Sequence, residues 1–153
     1  SIEGLEAIKA EMEAEGYLPV QGKVRRRSVN KPRHFYSRDG YLVLVGRNSR
    51  QNDRLTNRMA NPNDIWMHAK DVSGSHVIIR TGGKEVPAST LMEGALLAAY
   101  YSTARDSSNV PVDYVHCRHV RKPAGAAPGM VIYEHHKTLY VTPREDLLPK
   151  QQK

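Results

Sequence analysis

Cysteine is almost absent from this chain: Cys117 is the only one in 153 residues. An internal disulfide is excluded, and a reducing, cytoplasmic setting is expected. Long apolar runs are missing too. No stretch approaches the roughly 20 residues that span a bilayer, and the mean hydropathy is −0.60, so no membrane partner is expected. The opening residues, SIEGLEAIKAEMEAEG, lack a basic region followed by an apolar one, so no secretory signal is read there. There is no Walker loop, no G-x-G-x-x-G after a strand and no H-E-x-x-H, which removes the usual nucleotide and zinc-protease frames. No cofactor is expected. Acidic residues are outnumbered, 16 against 23 Lys and Arg, giving a net charge of +7. Such an excess attracts phosphate polymers or anionic surfaces without choosing between them.

What is present divides into four parts. Residues 1–16 read as the end of a helical arm, with Ile2, Leu5, Ile8 and Met12 at helical spacing and Gly16 as a stop. A glutamate-rich stripe of this kind suits a coiled coil. Residues 17–33 read as a basic connector, in which Lys23, Arg25, Arg26, Arg27, Lys31 and Arg33 are interrupted by no acid. It is either a solvated linker or a phosphate-binding arm. Residues 34–148 form the domain proper, and 149–153 a tail.

Within the domain, HFYSRDGYLVLVG predicts a β-hairpin turning at Asp39-Gly40. A helix is expected from about 49 to 60, and two strands at about 64 to 70 and 76 to 81. ASTLMEGALLAAYYSTA, residues 88 to 104, keeps the strongest helical period, with small residues that allow close packing on a sheet. VDYVHCRHV reads as a strand. MVIYEHHKTLYVTP reads as a second hairpin around His135-His136, a solvated turn or a contact point. Strands in hairpins with two main helices argue an α+β fold with a mainly antiparallel or mixed sheet.

The segment DIWMHAKDVSGSHVIIR is the densest in chemistry-bearing residues. Strand alternation places Ile65, Met67 and Ala69 on a core face and Trp66, His68 and Lys70 on the other. On the next strand, His76, Ile78 and Arg80 oppose Val77 and Ile79. An indole with imidazole and cationic neighbours suits a stacked base and its phosphate. A tryptophan packed under a helix explains it equally well. On the helix before it, Arg50, Arg54 and Arg58 repeat every four residues as a basic stripe opposite Leu55 and Met59, with Arg47 just ahead. The first-turn N–H groups around Asn48 to Gln51 could serve an anion.

Two other chemistries are weighed on the same residues. Asp64, His68, Asp71 and His76 could supply a metal-dependent hydrolase acting on nucleic acid, but they lack zinc-motif spacing. Cys117 between His116 and His119 permits a Cys–His dyad, though a buried thiol is the commoner outcome. No catalytic residue is assigned.

VGRNSRQNDRLT, NDIWMHAKDVSGSHVIIR and VDYVHCRHVRKPAGAAPGMVIYEHHKTLYVTP together resemble the NFACT-R domain. This domain closes the NFACT proteins, which include bacterial RqcH, formerly fibronectin-binding protein A, and eukaryotic NEMF. The resemblance runs from about His34 to Leu148. It implies an RNA-binding module of a ribosome-associated quality-control factor. Such factors bind large subunits with a stalled nascent chain, recruit alanyl-tRNA and support alanine tailing. It implies RNA-binding roles for Arg47, Asn48, Arg50, Gln51, Asn52, Trp66, His68, Lys70, Asp71, Ser75, His76 and Arg80, to which the stripe adds Arg54 and Arg58. Both tRNA and large-subunit rRNA are expected partners. The older family name raises fibronectin as the alternative.

Overall fold

The computed structural model describes residues 17–20, 23–26 and 31–152. The helix expected before Tyr17 and the connector's Arg27 lie outside the described residues. The chain divides into two units at Pro32 and Arg33. In the first, β1 (Tyr17–Val20) and β2 (Lys23–Arg26) pair antiparallel. The stretch read as a connector thus contains a hairpin. Its strands are separated by two residues, Gln21 and Gly22, the commonest hairpin spacing.

The second unit is built on a seven-stranded sheet, antiparallel at every pairing. Its strands are β3 (Arg33–Tyr36), β4 (Leu42–Val45), β5 (Ile65–Ala69), β6 (Val77–Ile79), β7 (Val110–His116), β10 (Lys137–Val141) and β11 (Gln151–Gln152). Their order across the sheet is β10-β7-β5-β6-β4-β3-β11. Two short strands, β8 (Val120–Arg121) and β9 (Ile132–Tyr133), pair with each other outside it. Helix α1 (Ser49–Arg54) and helix α2 (Ala88–Tyr100) complete an α+β unit, as the sequence predicts.

The β3–β4 hairpin forms as predicted, with Gly40 at φ +86°, the left-handed conformation glycine tolerates best. Two other expectations fail. The supposed tail contributes β11, because β3 presents an open edge whose backbone donors and acceptors need partners. The supposed hairpin around His135-His136 is a crossing between sheets: β9 pairs with β8, whereas β10 pairs with β7.

Both faces of the sheet are covered. Helix α2 packs on the face carrying Val43, Val45, Met67, Ala69, Val77, Ile79 and Val112. Each buried Val, Ile or Met there stabilises the fold by about 1.5–3 kcal/mol. The approach is close because Gly94 lacks a side chain: a Cβ there would lie 2.7 Å from Met67 Sδ and 3.0 Å from Ile79 Cδ1. The opposite face, which the sequence leaves open between a packed and an exposed tryptophan, carries a second cluster of Leu44, Leu55, Trp66, Ile78, Val115 and Cys117. Val120, Val131 and Tyr133 close over it from a strap between β7 and β10.

The helix predicted from 49 to 60 is α-helical only to Arg54. Over Leu55–Met59 it widens into a π turn, in which Ala60 N–H donates to Leu55 O at 2.9 Å. This segment buries Leu55 and Thr56 against the second cluster.

Candidate nucleic-acid interface

Trp66 is a packed strut. It is 1% exposed, so the base-stacking role read from the strand pattern does not hold. Its ring stacks on His68 (centroids 5.8 Å apart, planes 6° apart), meets His76 edge-on at 5.4 Å and lies 4.6 Å from Tyr133. The indole is held by packing, since its buried N–H has no hydrogen-bond acceptor among the described residues.

Burial holds both histidines in the neutral form. Burial, followed by the neighbouring His68, pushes the His76 ring from 6.5 to about 3. His76 is 3% exposed, and its Nδ1 lies 2.7 Å from Thr56 Oγ1. Burial also lowers His68, whose Nε2 lies 3.2 Å from Gly74 O. A buried carboxylate, Asp113, completes this layer by accepting from Tyr133 (2.5 Å) and Thr138 (2.7 Å). The phenol that Asp113 receives is raised by burial first and by that bond second.

The amides of the RNSRQND stretch turn inward to shape the start of α1. Asn48 caps it, accepting from Gln51 N at 2.8 Å. Gln51 in turn accepts from Arg47 N at 2.7 Å, and Asn52 Oδ1 accepts from His76 N at 3.1 Å. Gln51 and Asn52 are 4% and 7% exposed. They fix the Arg47 loop against β6, and Gly46 is needed because a Cβ would collide with the Asn52 side chain. The predicted anion site in this first turn is already partly used, since Gln51 N is capped.

Beside this loop runs an open polar groove. The Ser73–Ser75 segment pairs with the end of α2: Ser75 N donates to Tyr101 O and Thr103 N to Ser73 O, both at 2.9 Å. Gly74 permits the crossing, since a Cβ would lie 2.8 Å from Ser102 Cβ. The groove is lined by Arg33, Arg47, Asn48, Ser73, Ser75, Tyr101, Thr103 and Arg105, among others. The Arg33 guanidinium sits 4.7 Å from the centre of the Tyr101 ring, and that of Arg105 4.0 Å from the centre of Tyr100. Such contacts hold the cations in place. Arg33 and Arg47 are close enough that repulsion from Arg33 adds to burial in lowering the Arg47 pKa. Two guanidiniums beside hydroxyl-lined space have the donors that an anion would need.

Of the residues read from sequence, Arg47, Asn48, Asn52 and Ser75 are brought to this groove, and Arg33 joins them from the supposed connector. Arg105, Tyr100 and Tyr101 were missed. Their only signal was an arginine four residues after a tyrosine pair at a helix end. Arg50, Arg54 and Arg58 do not line the groove, and Asp53 among them binds the strap through Lys122 Nζ (3.0 Å) and Gly129 N (3.1 Å). Lys70 and Asp71 are exposed just beyond β5, with Asp71 in a left-handed conformation at φ +56°. Arg80 sits at the far end of β6, 3.6 Å from Asp64. Lys31 is exposed, whereas of Lys23, Arg25 and Arg26 only the strand backbone is described.

The residues weighed for metal binding are spread out. Asp64 accepts from Asn61 N and Thr81 N at the Ile65 end of β5, while His68 and His76 lie near its other end. Among the described residues no three His, Cys, Asp or Glu side chains are grouped to hold a metal. Burial, reinforced by Asp64, pushes the Cys117 thiol up to about 12, so it carries no nucleophile at neutral pH.

Comparison with known proteins identifies the family and the fold. Residues 31–135 match the model of the NFACT protein RNA binding domain. The chain is 46% identical over 152 residues to the Rqc2 homolog RqcH of Bacillus subtilis, covering 95% of this chain and 26% of that protein. It is 40% identical over 81 residues to the NEMF homolog of Drosophila melanogaster, a ribosome quality control complex subunit, covering 52% and 8%. Among solved structures, the C-terminal part of the fibronectin/fibrinogen-binding protein of Streptococcus suis superposes with a TM-score of 0.77 at 39% identity, covering 97% of this chain and 59% of that one. The chain spans about a quarter of the length of its bacterial relatives. It belongs to the NFACT RNA-binding domain family, shared by the RqcH and NEMF ribosome quality control proteins.

Proposed function

We propose that this domain is a non-catalytic RNA-contact module of a cytoplasmic factor that engages stalled large ribosomal subunits and supports alanine tailing. The observation that carries this reading is the convergence of Arg33 and Arg47 on a groove lined by serine and threonine, with Arg105 held on Tyr100 at its edge. Guanidiniums donate in a fork matched to phosphate oxygens, and hydroxyls add donors that follow a backbone without reading its sequence. Arg47, Asn48 and Ser75 would touch the RNA. Gln51, Asn52, Trp66 and His76 would shape the surface from beneath. The exposed Arg50 and Arg58 would extend the positive field beyond the groove.

Both tRNA and large-subunit rRNA fit this chemistry. Crosslinking the full-length protein on stalled large subunits, mapped to residues, tests the assignment. Crosslinks should fall at Arg33, Arg47, Ser73–Ser75 and Arg105. Crosslinks confined to other domains of the protein would remove the module from RNA.

A second reading rests on the name of the Streptococcus suis relative, a fibronectin/fibrinogen-binding protein. A cationic domain attracts anionic surfaces in general. Fibronectin binding that survives at physiological salt and survives loss of Arg33 and Arg47 would favour that reading.

A further inference from the structure

A second basic cleft, of about 540 Å³, lies at the other end of α2 from the groove. It is lined by Leu91 from the start of the helix, whereas the groove is lined by Tyr100 and Tyr101 from its end. At 1.5 Å per residue the two are roughly 15 Å apart along the helix axis. None of the residues singled out from sequence for RNA lines this cleft.

Its chemistry is distinct. Lys84, Arg118 and Lys137 line it, all exposed, and none forms an ion pair among the described residues. Among the described residues, Glu85 is the only carboxylate in the lining. Three imidazoles complete it: His116, His119 and His135. The rings of His119 and His135 meet edge to face, with centroids 5.0 Å apart. His135 is held at φ +65°, a conformation in which side chains other than glycine are uncommon, at the crossing from β9 to β10. His116 Nδ1 lies 3.1 Å from Asn63 O. A carbonyl can only accept, so Nδ1 carries the proton, and Nε2 of the neutral ring is an acceptor.

We infer that this cleft is a second RNA site, in which Lys84, Arg118 and Lys137 take a phosphate and His116 Nε2 accepts from a ribose 2′-hydroxyl. The inference rests on the RNA reading of the domain and extends it to a separate surface. Cations alone would bind any phosphate polymer. An acceptor held by a fixed tautomer adds what DNA cannot satisfy, because DNA has no 2′-hydroxyl to donate. At about 3.4 Å per nucleotide, that axial separation corresponds to roughly four to five stacked nucleotides. Two segments of one folded RNA could equally fill the two sites.

The test uses the 153-residue chain and NMR of its histidine rings and backbone amides. The probes are a 12-nucleotide single-stranded RNA, the DNA of the same sequence, and inorganic phosphate. RNA should shift the His116, His119 and His135 ring signals as well as the Ser73–Ser75 amides. A Lys84→Gln/Lys137→Gln variant should lose the ring shifts, keep the groove shifts and bind on the order of tenfold more weakly. DNA should shift the rings less than RNA.

Silent rings with responding groove amides at saturation would overturn the second site and leave the RNA reading standing. Silence at both would overturn the RNA reading as well. Equal ring shifts with RNA and DNA would overturn the role of His116. Ring shifts as large with inorganic phosphate as with RNA would overturn the polymer assignment in favour of a free phosphate ester.

Discussion

His76 Nδ1 lies 2.7 Å from Thr56 Oγ1, and both side chains are buried. This bond joins the π turn of the first helix to the start of β6 beneath the groove. Burial of this ring makes the fold sensitive to mild acid. The His76 ring is neutral in the fold, lowered from 6.5 to about 3 by burial first and by His68 second. Protonation therefore favours the unfolded chain. The stabilisation is complete above pH 6.5 and is lost as the pH falls toward about 3, by up to ~1.4 kcal/mol per pH unit for one site. Urea midpoints should fall between pH 7 and pH 5, where carboxylates are still ionised. Midpoints that stay flat over that window would contradict the neutral, buried ring.

Trp66 reports on the strut directly. Being buried, it should emit at short wavelength and resist quenching by acrylamide. Saturating RNA should leave both properties unchanged, because the indole does not face the ligand. A red-shifted emission, or strong quenching on RNA binding, would restore the stacking role.

Gly94→Ala tests the contact between α2 and the sheet. Alanine is the better helix former by about 0.8–1 kcal/mol. Here the added Cβ would meet Met67 Sδ at 2.7 Å and Ile79 Cδ1 at 3.0 Å, distances that force repacking. Overpacking costs about 1–3 kcal/mol, so the net effect should be destabilising. A raised melting temperature would show that the interface is looser than described.

Asp53→Ala should release the strap. The carboxylate accepts from Gly129 N at 3.1 Å and pairs with Lys122 Nζ at 3.0 Å. Loss of these partly exposed contacts should cost about 1 kcal/mol. Hydrogen exchange at the Gly129 amide should quicken, and Trp66 should become more accessible to acrylamide. Unchanged exchange would mean that the strap is held by Tyr133 and Asp113 alone.

Local patterns made much of this fold legible. Alternation correctly put Met67 and Ala69 opposite Trp66, and Asp39-Gly40 marked the β3–β4 turn. The covering of Trp66 was not legible, because Leu55, Val115 and Tyr133 reach it from three separated segments. A strand with two buried faces shows the same alternation as one with an open polar face when histidines fill the second. The groove was hidden for a related reason. The β3–β4 hairpin pairs Arg33 with Val45 and so brings it near Arg47, but Arg105 comes from a distant segment and joins them only through the pairing of Ser73–Ser75 with the end of α2. The arginine stripe on the helix, which sequence made conspicuous, lies outside that groove.

The central claim is that Arg33 and Arg47 bind RNA phosphate, and the salt dependence of RNA affinity tests it most directly. The 153-residue chain and its Arg33→Gln/Arg47→Gln variant would be titrated with one labelled RNA across a range of salt concentrations, with Arg50→Gln/Arg54→Gln in parallel. Each lost single-strand phosphate contact should flatten the slope of log affinity against log salt by about 0.7. The groove variant should bind more weakly, with a slope flatter by roughly 1.4 for two contacts. The stripe variant should change affinity less. Unchanged affinity and slope in the groove variant would contradict the account.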